Sequence, residues 1–338
     1  MCSDGSRRAD SKQGDSPSTS RVRTAVIPAA GHGTRMLPAT KSVPKELLPL
    51  GEKPALQYVI EEAVGAGVDR VIVISSPTKP AIADYLTPSP AVEAVLDRLG
   101  RVDLADEQRR LGREIEVTIV MQHEPLGLGH AVGCARHAVG DEPFFVLLPD
   151  ELMESSQLLL EMAQIHEQLG TSVIAVKPMP IEEISRYGVV SPVVHAPQLL
   201  SIGSEAIGLA AVGSGAMDPE VSARIVLFDD VVEKPRASDA PSDLAIIGRY
   251  LLTSDIFDDL DRVVPGAGGE IQLTDALAAQ SQRRTSSAVK STIHRRDIGH
   301  PLGWVKAVIE RALVHPQIGD EVRTWIREEF GLEIPHSS

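Results

Sequence analysis

The chain has 338 residues, 43% of them hydrophobic but only 3% aromatic, enough for one large α/β domain or two ordinary ones with cores of aliphatic side chains. A formal net charge of −14 excludes a general nucleic-acid binder, whose phosphate contacts need a basic face. No apolar run approaches the ~20 residues of a membrane helix, so no membrane partner is expected, and two cysteines, Cys2 and Cys134, exclude a disulfide framework.

Residues 1–21 open with MCSDGSRRADSKQGDSPSTS. This stretch is polar and rich in serine, with no apolar leader segment, so it reads as a disordered tail and the protein as cytoplasmic. Residues 22–338 contain no Pro/Ser-rich linker and read as one unit with a helical C-terminal part. Its first element, RTAVIP, is a short buried strand. It empties into AAGHGTRMLPATKSVPKELLPL. Between Gly31 and Lys53 the cations Arg35, Lys41, Lys45 and Lys53 outnumber Glu46 and Glu52, a local excess of two positive charges in an acidic chain. A turn needs a glycine or a proline, but it does not need cations. Glycines let backbone N–H groups approach phosphate oxygens, prolines stiffen the loop and long cations reach the charge. The loop matches neither a Walker P-loop nor a dinucleotide fingerprint, which would need glycine where Met36 stands. It reads as a site for a small anion, against the plainer alternative of a solvated basic loop, which fits Lys41 best.

PALQYVIEEAVGAG places Leu56, Val59, Ile60, Ala63 and Val64 on one helical face and ends in Gly65 and Gly67. VDRVIVISS and EIEVTIVMQ read as strands, GHAVGCARHAV as a helix, and EPFFVLLPD as a strand ending in Asp150. Near-continuous apolar strands alternating with helices predict a parallel sheet covered on both faces. Ligands of such sheets sit beyond the carboxyl ends of the strands, which places the glycine-rich loop and Asp150 on one rim. Asp150 is then either a helix cap or a hard oxygen ligand for Mg²⁺. In QHEPLGLGHAV, Gln122 offers the donor and acceptor that would read the imide edge of a base. Gly127 and Gly129 leave room for a flat ring, although a glycine turn before a helix explains them equally. His123 and His130 read as structural, with no zinc cluster.

In the second half SVIAVKP, YGVVSPVV, RIVLFDDVVEKP and LAIIGRYLL read as strands of a mixed sheet, with AVGSGAMDPEVSA as a surface connection. Helical patterns fall at 254–263, 274–283, 302–314 and 319–330, with Thr274 and Asp275 as candidate caps. Glu233 and Lys234 are neighbours on a strand and can face one ligand only where that strand ends. Alone, they would be a surface turn, as Gly188 alone would be a turn glycine.

Taken in order, AAGHGTRMLPATKSVPKELLPL, QHEPLGLGHAV, LLPDEL, YGVV, VVEKP, LAIIGRY and GAGGEIQLTDA resemble the sugar-1-phosphate nucleotidyltransferases. The form T-K-x-x-P-K-E is similar to that of the bacterial UTP–glucose-1-phosphate uridylyltransferases in particular. The resemblance covers nearly the whole chain outside the tail and the segment around 195–222. It implies the nucleotide-diphospho-sugar transferase fold, an α/β fold with a Rossmann-like, mixed but mainly parallel sheet and flanking helices. It implies Mg²⁺ as cofactor, UTP and glucose 1-phosphate as small-molecule substrates, and a homodimer or homotetramer joined through the C-terminal helices. It gives Ala30, Gly31, Gln122 and Gly127 to the nucleotide, Arg35 and Lys45 to the triphosphate, and Lys234 to the sugar phosphate. Gly188 and Glu233 go to the sugar and Asp150 to the metal, while Asp297 is either a second metal ligand or an ordinary acid. Two residues depart from the family pattern. His300 stands where an Asn is usual, and Met121 stands where many relatives carry Arg, which removes a cation near the base pocket. A thymidylyl- or cytidylyltransferase remains an alternative, as does a catalytically silent sugar-nucleotide sensor. Such a sensor should have lost a charged site residue, whereas Arg35, Lys45, Asp150 and Lys234 are all present.

Overall fold

The computed structural model describes residues 21–110, 115–195, 217–266, 269–284 and 286–333. Residues 1–20 of the expected tail, most of the segment around 195–222 and the first six residues of the AVGSGAMDPEVSA connection lie outside the described residues. In chain order the first half comprises β1 (Thr24–Pro28), β2 (Pro49–Leu50), β3 (Lys53–Pro54), α1 (Ala55–Gly65), β4 (Arg70–Ser75), α2 (Pro80–Leu86), α3 (Pro90–Arg98), α4 (Val102–Arg110), β5 (Glu116–Met121), α5 (Leu128–Cys134), α6 (Arg136–Val139) and β6 (Phe144–Leu147). There follow β7 (Glu151–Met153), α7 (Gln157–Leu169), β8 (Val173–Pro178), β9 (Gly188–His195), α8 (Pro219–Ser222), β10 (Ile225–Glu233) and β11 (Leu244–Leu252). The chain closes with α9 (Ile256–Leu260), α10 (Leu273–Arg283), β12 (Ser286–Lys290), β13 (Arg295–Asp297), α11 (Pro301–Val314) and α12 (Gly319–Phe330).

Both halves feed one nine-stranded sheet, in the order β5-β4-β1-β6-β11-β8-β12-β10-β9. β1 pairs in parallel with β4 on one side and with β6 on the other, while β11 runs antiparallel to β6 and β8. The sheet is therefore mixed, with its parallel part where strands and helices alternate in the sequence. The alternation along β1 shows why its run is apolar throughout. Ala25 and Ile27 pack with Leu56, Val59 and Ile60 of α1, whereas Val26 packs on the opposite face with Ala131 and Val132 of α5. A strand covered on both sides cannot alternate apolar and polar residues.

The helical face read from residues 56–64 is buried apart from Val64, which is half-buried. The helix ends at Gly65 with Ala66 as its cap, and Gly67 takes φ +91° just beyond. GHAVGCARHAV is not one helix. It breaks into α5 and α6 around Ala135. Among the described residues no helix is long and apolar enough to cross a membrane.

The chain leaves β1 for β4 and β5 on one side, then returns to place β6 on the other. The loops after β1 and β6 therefore diverge, and ligands of open α/β sheets bind in such a crevice. A second, two-stranded sheet aligns Asp297 of β13 with Glu151 of β7. That pairing carries the C-terminal third of the chain back to the same crevice.

Candidate active site

The loop after β1 folds into three short 3₁₀ turns, Thr34–Met36, Ala39–Lys41 and Lys45–Leu47. Thr40 closes it by donating from Oγ1 to the Gly33 carbonyl at 2.8 Å. The last turn aims Lys45 at the loop after β6, where its Nζ lies 2.7 Å from Asp150 Oδ2. Burial alone would lower the Lys45 pKa, but Asp150 and Glu46 outweigh it and hold the ammonium raised. Burial would likewise raise Asp150, and Lys45 outweighs it, so the carboxylate lies below its ordinary range. Each partner keeps the other charged. Arg35 is exposed and has no ion-pair partner among the described residues, and its charge is felt at both Lys45 and Asp150.

Every residue given a site role above lines one cavity of about 970 Å³. Lys41 and Met121 do not line it. Met121 lies at the exposed end of β5, so the departure there does not strip a cation from the cavity wall.

Asp297 arrives through the β7–β13 pairing, reinforced by the Ile298 N–H donating to the Asp150 carbonyl at 2.8 Å. A methyl group on Gly299 would meet Asp297 Oδ1 at 3.1 Å and Asp150 Oδ2 at 3.2 Å. The two carboxylates thus converge on a hollow that a side chain would fill. Hard carboxylate oxygens suit Mg²⁺, which is held by one or two carboxylates plus substrate phosphates. Among the described residues no group of three or more His, Cys, Asp or Glu could hold a metal alone, so phosphate oxygens would have to complete the set. Arg186 Nη2 stands 3.5 Å from Asp297 Oδ2. His300 N-caps α11, its Nδ1 accepting from Gly303 N–H at 3.1 Å.

β10 ends at Glu233, and Lys234 takes φ +45°, leaving strand geometry at once. The pair can therefore face one cavity. Lys234 Nζ lies 2.8 Å from Glu233 Oε1, and Thr274 donates to Glu233 Oε2 at 3.1 Å. The cap of α10 is Gln272, with no side-chain cap bond. Thr274 and Asp275 are therefore not its caps. The Thr274 hydroxyl is drawn instead to the carboxylate across the cavity. Gly188 sits opposite Glu233 in the β9–β10 register.

Gln122 is buried, and its amide nitrogen is occupied by the Gly127 carbonyl at 3.2 Å and His130 Nδ1 at 2.9 Å. The donor half expected to read a base is thus used within the protein, leaving the carbonyl oxygen for a ligand. Gly127 lines the cavity, and both Gly127 and Gly129 also let the chain pack closely on the segment before α10. A Cβ at Gly127 would stand 2.7 Å from the Ile271 carbonyl oxygen, and one at Gly129 would stand 2.9 Å from it.

Three charged residues of this region escape a reading of the sequence. Lys79 and Glu46 form a buried pair at 2.8 Å, and Lys79 also donates to the Ala29 carbonyl at 2.8 Å, pinning both ends of the glycine-rich loop. Burial lowers the Lys79 pKa in spite of Glu46. Arg249 is fully buried beside the Asp150 loop. Glu46 and Arg249 fall within the stretches TKSVPKE and LAIIGRY, but neither stretch reveals a buried pair, and Lys79 stands in no motif.

The sequence model of the nucleotidyl transferase family matches residues 24–308. The chain is 39% identical over 303 residues to the UTP–glucose-1-phosphate uridylyltransferase of Bacillus subtilis (strain 168), covering 89% of this chain and 95% of the relative. The chain belongs to the UTP–glucose-1-phosphate uridylyltransferase family. The corresponding protein of Streptococcus pneumoniae is 39% identical over 313 residues, covering 91% of this chain and 96% of the relative. Among solved structures, a UTP-bound UGPase from Acinetobacter baumannii superposes with a TM-score of 0.77 at 34% identity, covering 91% of this chain and 99% of that one. A UDP-glucose pyrophosphorylase complexed with UDP-glucose gives 0.69 at 33% identity, covering 85% of this uridylyltransferase-family chain and 97% of that one.

Proposed function

We propose that this chain transfers the uridylyl group of UTP to α-D-glucose 1-phosphate, releasing pyrophosphate and UDP-glucose. The observation that carries the reading is one cavity lined by the Lys45–Asp150 and Lys234–Glu233 pairs and by the amide of Gln122, a buried residue.

A phosphate oxygen of the sugar phosphate forms a bond to the α-phosphorus while the bond to the pyrophosphate oxygen breaks. No covalent help from protein is needed, only alignment and neutralisation. Two unit negative charges 4 Å apart near a protein surface repel by about 4 kcal/mol. Cations must offset that repulsion. Lys234 holds the sugar phosphate, and Arg35 and Lys45 take the charge gathering on the departing pyrophosphate. Glu233 and the backbone at Gly188 receive sugar hydroxyls. Ala30, Gly31 and Gly127 bring backbone groups to the base, and the Gln122 oxygen accepts the uracil N3–H. Asp150, with Asp297, would hold Mg²⁺, which supplies charge neutralisation on the nucleotide phosphates.

With its amide donors occupied, Gln122 separates bases. Cytosine has no N3–H and would set one acceptor against another, whereas thymine keeps the donor. The cytidylyl alternative is therefore disfavoured and the thymidylyl one is not decided by this residue. The family resemblance also supports a unit spanning residues 22–338 after a short tail, cytoplasmic residence, and a homodimer or homotetramer.

Incubating the purified chain with UTP, glucose 1-phosphate and Mg²⁺ should yield equimolar UDP-glucose and pyrophosphate, and a chelator should stop the reaction. Turnover with CTP should be at least ~100-fold lower. Tight UDP-glucose binding without pyrophosphate release would favour the silent sensor and sink the transferase reading.

A further inference from the structure

Arg249 is the largest fully buried side chain among the described residues, and it does not line the cavity. Its neighbours in sequence, Gly248 and Tyr250, do line it. The register between β11 and β8 shifts between Ile246 and Tyr250, and Gly248 takes φ +73° at that irregularity. A Cβ there would stand 2.9 Å from Glu151 Cγ and 3.1 Å from Leu148 Cβ. The bulge thus lets the backbone of β11 press against the loop that carries Asp150, and it turns Arg249 beneath that loop.

All five N–H donors of a guanidinium find acceptors. Nε donates to Glu62 Oε1 at 2.9 Å and Nη2 to Glu62 Oε2 at 2.8 Å. Nη1 donates to the carbonyls of Leu148 and Gly248, each at 3.0 Å, and Nη2 also donates to the carbonyl of Glu151. Leu148 and Glu151 bracket the Pro149-Asp150 dipeptide. The Leu148 N–H donates to the Gly248 carbonyl at 3.0 Å, and the Asp150 carbonyl takes the Ile298 N–H at 2.8 Å. The backbone carrying Asp150 is thereby held on both flanks from below, while its carboxylate meets Lys45 above.

A buried charge paired with one carboxylate is a costly way to fill a core, and apolar residues often do it as well or better. Stability alone therefore does not account for this arrangement. We propose that Arg249, with Glu62 as its counter-ion, is a positioning residue that fixes the Asp150 carboxylate for the metal-bound nucleotide. Glu62 sets the guanidinium plane, the plane sets two carbonyls, and the carbonyls set the dipeptide between them. This rests on Asp150 being the metal-binding carboxylate of a uridylyltransferase.

The test uses the full chain with Arg249→Lys, and separately Arg249→Met combined with Glu62→Leu, which removes both buried charges together. A lysine has a single nitrogen and cannot bridge Glu62 and three carbonyls. Mn²⁺ binding in the presence of UTP is read by electron paramagnetic resonance, metal-free UTP binding by equilibrium dialysis, and turnover by pyrophosphate release. Both variants should bind Mn²⁺ about tenfold more weakly, in the range of lost outer-sphere support, with metal-free UTP binding within about twofold of the parent. Catalytic turnover should fall while the KM for glucose 1-phosphate stays put. A folded variant with parental Mn²⁺ affinity overturns the proposal. If neither variant folds, Arg249 holds the fold and not the site, and the proposal also falls. A parent that makes no UDP-glucose fails the functional reading itself, and Asp150→Asn with undiminished Mn²⁺ binding removes the premise.

Discussion

Lys234 combines two unusual properties, a left-handed backbone at φ +45° and an ammonium held 2.8 Å from its own neighbour Glu233. Lys234 lines the cavity, and in the proposed reaction the Glu233 pair would hold it until the sugar phosphate arrives. Lys234→Ala should lower kcat/KM for glucose 1-phosphate by roughly 10- to 100-fold, the worth of a charge-assisted hydrogen bond, and leave the KM for UTP unchanged. Steady-state kinetics with each substrate varied in turn checks this, and an equal loss for both substrates would contradict the assigned role. Lys45→Ala should show the opposite split. Lys45 and Lys234 each stand beside a proline, but such a lysine alone would read as a turn, and they are legible through the order of the motifs that hold them. Lys79, Glu46 and Arg249 are not legible. Glu46 and Arg249 fall within quoted motifs and Lys79 in none, but no motif names their partners, which lie 33 to 187 residues away. No local spacing encodes a buried ion pair. The direction of Gln122 was equally hidden, because it depends on the His130 ring across a turn.

Elements long enough to show a period were legible, and short ones were not. The helices expected at 302–314 and 319–330 match α11 and α12 closely. β7 and β13 span three residues each, too few to display alternation, yet their pairing brings Asp297 to Asp150. The glycines of α5 show how packing between elements replaces a local explanation. Gly129→Ala would press a methyl group into the Ile271 and Gln272 backbone. It should destabilise the protein by about 1–3 kcal/mol, read as a lower urea midpoint, and a neutral result would mean that this segment shifts freely. α7 offers a pH test. His166 is buried at its C-terminal end and its Nδ1 contacts the Thr171 carbonyl at 2.7 Å. Burial holds its pKa below the ordinary 6.5. Below about pH 6.5 the unfolded chain takes the proton first, so this contribution is full above that pH and lost as pH falls towards the folded value. His166→Asn keeps an N–H donor and should flatten the acid limb of unfolding free energy against pH. An unchanged slope would contradict the assignment.

At the scale of the whole molecule, α11 exposes Leu302, Val305 and Ile309 at i, i+3 and i+7, and Trp325 and Phe330 of α12 meet edge to face with both rings exposed. If the proposed homo-oligomer uses these helices, sedimentation should give a species heavier than the 36.2 kDa chain. Ile309→Glu should then return it to that mass with turnover measured alongside. Sequence reading foresaw a parallel half and a mixed half. It could not foresee how they interleave, because strand order follows from faces meeting in space and not from chain order. β12, among the last strands made, lies between β8 and β10, which are both made long before it. A ribosome that has released every residue up to 284 has therefore produced strands whose neighbour is still missing. Unpaired edges of this kind recruit other chains. The nascent chain therefore keeps the facing edges of β8 and β10 open until residues 286–290 emerge, and Asp297 reaches the crevice only after them.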